Sequence, residues 1–138
     1  MTWYLDTNIC IECLRGKAPL IKEALQSLEP SRVNIPSMVM AELLHGALKS
    51  SKPEANQRLV ELFIEPFETV DFDAGAAIQY SKIRNELESS GQVIGFNDLI
   101  IASTVMAHGG TLVSSNIKEF KRIRGLSLEN WQEVLLGE

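Results

Sequence analysis

Three carboxylates in this chain stand where a helix or strand has little need of one. Asp6 closes the short apolar run from Trp3 to Leu5. Glu42 sits in a helical pattern crowded by Met38, Val39, Ala41, Leu43 and Leu44, where a buried acid is costly without a cation or hydrogen-bond donor beside it. Asp98 stands at the mouth of "GFNDLIIASTVMAHGG", Gly95 to Gly110, which is nearly all apolar beyond its opening residues. Each acid also has a plain structural use. Asp6 can cap the helix that follows it. Glu42 can face solvent on a polar edge with Asn34, His45 and Lys49. Asp98, one residue after a natural cap in Asn97, can answer the helix dipole in a first turn.

Drawn together, three carboxylates would raise one another's pKa values unless a cation lay among them. A set of oxygen donors with no His or Cys suits a hard ion, Mg²⁺ or Mn²⁺, that keeps several of its waters. Such an ion activates water and neutralises charge developing on a phosphoryl group, so the matching substrate is a phosphodiester.

The elements that must position these acids follow from periodicity and breakers. Trp3–Leu5 reads as a strand and Thr7–Arg15 as a helix ended by Gly16. A second helix spans Ala18–Leu28, and Arg32–Ile35 makes a strand. The helix Met38–Lys49 has Ser37 as its expected N-cap. Pro53–Phe63 is helical, Glu68–Val70 a strand, and Asp73 opens a long helix to about Ser90. The helix Asn97–His108 and the strand Thr111–Val113 follow, and the tail around Leu126 and Trp131 should add an edge strand and a last packing turn. Strands alternating with helices imply crossover units, so the expected fold class is α/β, a central mainly parallel sheet with helices on both faces. Asp6 ends a strand, while Glu42 and Asp98 lie early in their helices. All three therefore belong at the carboxyl edge of that sheet, where such folds bind their ligands.

The 138 residues, without repeat or linker, suit one domain over 1–138. The N-terminus has no basic region and carries an acid at Asp6, unlike a signal peptide, and no apolar run approaches the roughly 20 residues of a membrane span. A cytoplasmic protein without membrane contact is expected. Cys10 and Cys13 form a Cys-x-x-Cys pair, but no further metal-type cluster accompanies them, so they read as reduced thiols. Neither G-x-x-x-x-G-K-[ST] nor G-x-G-x-x-G occurs. His45 and His108 have no evident Ser or Cys nucleophile to serve, and His108 suits the C-terminal end of its helix. Met38, Met40 and Met106 read as core filler. A net charge of −5 lacks the basic footprint of most nucleic-acid binders. However, acids gathered around a metal count as negative without repelling phosphate, and Lys118, Lys121, Arg122 and Arg124 concentrate positive charge in one segment.

With those residues placed, the chain resembles the PIN-domain ribonucleases of the VapC toxin type. The likeness is carried by "YLDTNICI" at Tyr4–Ile11, "MAELLHGA" around Glu42, "GFNDLIIAS" at Gly95–Ser103 and "LVSSNIKEFKRIRGLSLENW" at Leu112–Trp131. The resemblance implies a three-layer α/β/α sandwich with Asp6, Glu42 and Asp98 as metal-binding acids. It further implies RNA cleavage with Mg²⁺ or Mn²⁺, a homodimer, and inhibition by a VapB-type antitoxin whose C-terminal segment enters the site. Several members of the family cut tRNA, some the initiator tRNA in its anticodon loop, which makes tRNA the leading substrate. Thr7 and Asn8 of the LDTN motif, with Ser114, are supporting residues. Many PIN domains carry a fourth acid where this chain has Asn116, so one firmly held ion is expected, with Asn116 orienting water or ligands. Glu119 can supply the missing charge, or can be a surface residue of the basic segment. Lys118, Lys121, Arg122 and Arg124 are the expected RNA-backbone contacts.

Two other functions fit parts of the pattern. A catalytically silent PIN-like module would use an acidic groove to hold a basic peptide. A response-regulator-like domain also gathers acids at a sheet edge, but it expects paired acids early in the chain and a Lys near the last strand. Here LDTN offers one acid, and Lys118 falls in the basic segment.

Overall fold

Among the described residues five three- or four-residue strands alternate with helices, and all of them pair in parallel. A computed structural model describes residues 1–131. The chain runs through β1 (Trp3–Leu5), α1 (Thr7–Leu14), α2 (Pro19–Ser27), a 3₁₀ turn (Pro30–Arg32) and β2 (Val33–Pro36). It continues through α3 (Ser37–Lys49), α4 (Pro53–Ile64), β3 (Glu68–Val70) and α5 (Ala74–Ser89). It closes with α6 (Phe96–His108), β4 (Thr111–Val113), α7 (Ile117–Phe120) and β5 (Ser127–Glu129). The sheet order is β3-β2-β1-β4-β5. The chain therefore steps outward from β1 to β3, returns to the other side of β1, and steps outward again. Right-handed crossovers then place α1 to α4 on one face and the later helices on the other, the expected three-layer α/β/α sandwich.

The register is fixed where it matters. Tyr4 pairs with Leu112 and Leu5 with Val113, so β1 and β4 end level. Asp6 N–H donates to the Val113 carbonyl at 3.0 Å and carries the ladder one residue further. At the opposite edge β4 enters through Gly110, whose φ is +135°. A Cβ there would lie 2.7 Å from Tyr4 Cε1 and 2.8 Å from the Thr2 carbonyl, so only glycine lets β4 approach β1 so closely. Val33, Ile35, Leu5, Leu112 and Val113 are fully buried, as strands covered on both faces must be.

Several local expectations shift. Arg32 belongs to the 3₁₀ turn instead of β2. Ser37 is the first residue of α3 rather than its cap; extended Pro36 precedes the helix, and Ser37 Oγ accepts from Phe72 N–H at 3.3 Å. Likewise α6 starts at Phe96 from an extended Gly95, so Asn97 lies inside the first turn. His108 pairs with Asp73, the N-cap of α5, at 3.1 Å. Met38, Met40 and Met106 pack against the core. Cys10 and Cys13 are buried free thiols; burial pushes Cys13 up to about 11 and Cys10 well above its ordinary range, which leaves both unreactive. The edge strand expected near Leu126 is β5, and Trp131 packs edge-on against Trp3 at 6.1 Å. The tail beyond it lies outside the described residues. Among those residues no helix is long and apolar enough to cross a membrane.

Candidate active site

The strand order reverses direction between β1 and β4, and in open parallel sheets a crevice forms at the carboxyl edge of that switch point. An open cleft of about 450 Å³ lies there, lined by Asp6, Thr7, Asn8, Ile11, Glu42, His45, Gly46, Lys49, Asn97, Asp98 and Asn116. Asp6 arrives from the end of β1, Glu42 from the second turn of α3, Asp98 from the first turn of α6 and Asn116 from the turn after β4. The four thus come from four separate parts of the chain, placed by the sheet.

Asp6 is buried and held at both oxygens. Oδ1 accepts from Thr7 N–H at 2.8 Å, and Oδ2 accepts from the buried Ser114 hydroxyl at 2.7 Å. Ser114 Oγ in turn accepts from Asn116 N–H at 2.9 Å, so one hydroxyl sets both the first acid and the turn after β4. Asp6 caps α1 as well as facing the cleft, so both uses of this residue hold together. Glu42 is half-buried and needs donors, which it receives from two sides. Thr7 Oγ donates to Oε1 at 2.6 Å, and Asn97 Nδ2 donates to Oε2 at 3.3 Å. Asn97 therefore braces Glu42 across the cleft where a cap was expected. Asn116 Nδ2 donates to Glu119 Oε2 at 3.3 Å, and Glu119, on α7, also shares a hydrogen bond with Asp98.

The electrostatics reflect this crowding. Burial, followed by the charges of Asp6, Glu119 and Glu42 and a hydrogen bond with Glu119, pushes Asp98 up to about 6. Burial also raises Asp6, with the Ser114 and Thr7 hydrogen bonds opposing it and the Glu42 charge adding to it. Among the described residues no three Asp, Glu, His or Cys side chains close into a ligand cage. The acids instead face one another across the cleft, as like charges do. The donor set nonetheless fits a hard divalent ion: oxygen ligands only, two of them with raised pKa values that a cation would relieve.

The other expected residues are placed as follows. Thr7 lines the cleft and anchors Glu42, and Asn8 lines it from the exposed side. Lys118 and Lys121 are exposed. Arg122 Nη1 donates to the Val93 carbonyl at 2.7 Å, and Arg122 and Arg124 line a separate polar groove beside the end of α5. None of these four cations lines the acidic cleft. The cleft-lining cation is Lys49, with His45 beside it. The two lie three and seven residues after Glu42 on α3, a helical spacing that the sequence displays, although it first suggested a shared solvent edge.

Residues 3–126 match the family model described as PIN domain. The chain is 43% identical over 134 residues to Ribonuclease VapC2 of Rickettsia felis, an alignment covering 96% of this chain and all of the relative. It is 40% identical over 131 residues to the tRNA(fMet)-specific endonuclease VapC of Salmonella typhimurium, covering 95% and 98%. Among solved structures it resembles a chain of the DNA-bound VapBC from Salmonella typhimurium, with a TM-score of 0.90, 40% identity, and 95% and 98% of the two chains covered. VapBC2 from Rickettsia felis, bound to a promoter DNA fragment, gives a TM-score of 0.88 at 42% identity, covering 94% and 98%.

Proposed function

The chain belongs to the PIN-domain family, among relatives named VapC, and from that premise we propose that it is a metal-dependent endoribonuclease toxin. Its proposed substrate is tRNA, with the initiator tRNA leading because a similar relative is named for it. Its proposed inhibitor is a VapB-type antitoxin, since similar solved structures are VapBC assemblies. The observation that carries the reading is the meeting of Asp6, Glu42 and Asp98 in one cleft, where Asp98, hydrogen-bonded to Glu119, is pushed up to about 6.

Asp6, Glu42 and Asp98 are the residues that would hold Mg²⁺ or Mn²⁺. When bound, the ion supplies an activated water and neutralises charge on the phosphoryl group. The chain's own groups prepare the rest. Ser114 and Thr7 fix Asp6, while Thr7 and Asn97 fix Glu42, so neither acid must reorient when substrate arrives. Glu119 stands in for the acid that Asn116 lacks, sharing a hydrogen bond with Asp98 while Asn116 steers its carboxylate. Lys49 and His45 offer positive charge and a donor to the phosphate, and Lys118, Lys121 and Arg124 engage the RNA backbone further out. Unpaired nucleotides are the natural target, because they can be splayed into an open cleft.

The antitoxin's place follows from continuity. A second groove, lined in part by Leu14, Leu43, Ala47, Leu59 and Val60, shares Ile11, Glu42 and Gly46 with the acidic cleft. An amphipathic segment seated there would carry a cationic end toward the acids and block substrate. The protein acts as a homodimer that assembles further with its antitoxin.

Asp98→Ala should abolish Mn²⁺-dependent cleavage of a tRNA transcript, a loss of at least a hundredfold, while leaving the thermal melt and the light-scattering mass close to wild type. Cleavage at the wild-type rate by that variant would sink the assignment.

A further inference from the structure

Around the corner of α6 from the acids lies a second hollow, of about 280 Å³, walled by Leu87, Val93, Ile94, Phe96 and Leu99, with Arg84 at its rim. Its exposure is unusual for such side chains. Phe96 is 61% and Val93 60% exposed, although both are large and apolar. Exposed apolar surface of this kind marks a place where something binds. The Arg84 guanidinium lies 5.0 Å from the Phe96 ring centroid, and it is itself held by Glu88 at 3.2 Å and the Tyr80 hydroxyl at 3.2 Å. A held cation covers one face of an exposed ring and leaves the other for a partner.

The hollow and the acidic cleft share no lining residue, but consecutive residues of the chain line the two. Gly95 and Phe96 line the hollow, while Asn97 and Asp98 line the cleft. Each residue of a helix is turned about 100° from the one before, so Phe96 and Asp98, two residues apart, project about 200° apart. The first turn of α6 therefore presents its aromatic to one side and its acid to the other. A ligand crossing this turn would place an anionic group by Asp98 and a flat apolar group by Phe96. Unpaired RNA alternates those two parts along its chain. From this geometry, and resting on the ribonuclease reading above, we infer that the hollow is a nucleobase pocket. In it Phe96 stacks an unpaired base next to the scissile phosphate, on the ring face that Arg84 leaves open, while Arg84, held by Glu88 and Tyr80, backs the opposite face. Phe96 is thus a positioning residue that selects flexible, splayed RNA over duplex.

The test uses full-length protein and a synthetic stem-loop RNA carrying 2-aminopurine at successive loop positions. Binding is read in EDTA and cleavage after adding Mn²⁺. Wild type and Phe96→Trp should quench one loop position, and Phe96→Ala should not. Phe96→Ala should lose about 5- to 150-fold in kcat/KM, mostly through KM, the range that one stacked base commands. An abasic nucleotide at the quenched position should bring wild type down to the rate of Phe96→Ala. Wild-type cleavage without position-specific quenching, or equal KM values for wild type and Phe96→Ala, would overturn the pocket and leave the ribonuclease reading standing. Dissociation of an oligomer by Phe96→Ala, in step with loss of activity, would also overturn it, because the patch would then join copies of this chain. A wild type that cuts no RNA in Mn²⁺ would remove the ribonuclease reading, and the pocket with it.

Discussion

Burial and neighbouring charge push Asp98 up to about 6, and that shift makes the site a measurable load on the fold. A carboxyl group whose folded pKa exceeds its unfolded value near 3.9 favours the folded state in its protonated form. Its contribution is fully present below the unfolded pKa and is lost as pH rises through about 6. In EDTA, Asp98→Asn should therefore melt several degrees above wild type at pH 8, with the two converging at pH 4. Mn²⁺ should raise the wild-type melt at pH 8 and leave the variant unmoved, as ligand linkage requires. Equal melts at pH 8 would mean that the acids impose no strain. Asp6, Glu42 and Asp98 were visible in the sequence because an acid among apolar residues at an element boundary needs a reason. Asn97 was misread because its type suits a cap, and sequence spacing cannot show a side chain reaching from α6 to Glu42 on α3.

Elements carry the site through their ends. The alternation of strand and helix made the parallel sheet legible, and with it the edge where the acids meet. Helix starts were less legible: Ser37 and Asn97 have capping side chains, yet extended Pro36 and Gly95 begin the two helices, so backbone conformation overrode residue type. The turn after β4 was the hardest to foresee, because its role rests on a buried hydroxyl touching a residue far away in sequence. Ser114 Oγ donates to Asp6 Oδ2 and accepts from Asn116 N–H. Ser114→Ala leaves a buried carboxylate oxygen and a backbone N–H without that partner, at a cost of about 1–3 kcal/mol. Its melt should fall accordingly, and cleavage should drop at least tenfold. Ser114→Thr, where the added methyl fits, should restore part of both. Activity at the wild-type level in Ser114→Ala, measured under conditions where it stays folded, would show that Asp6 needs no brace.

At the scale of the whole molecule, a chain of net charge −5 must still attract a polyanion, and the distribution of charge decides how. The acids concentrated in the cleft are the ones a divalent ion would neutralise in the proposed reaction. Lys118, Lys121 and Arg124 are exposed on and after α7, outside that cleft. Arg122 differs from them, because its guanidinium ties the segment to the Val93 carbonyl. The three exposed cations should therefore act on RNA alone, while Arg122 also acts on the fold. Each phosphate contact to a single strand releases counterions and adds about 0.7 to the slope of log affinity against log salt. Binding of an Asp98→Asn protein to labelled RNA, followed by anisotropy across a salt series, isolates that term from cleavage. Replacing Lys118, Lys121 and Arg124 together by Ala should flatten the slope by about 2 without moving the melt. Arg122→Ala should lower the melt as well as the affinity. A slope unchanged by the triple replacement would place the RNA elsewhere, with Lys49 in the cleft the next cation to test.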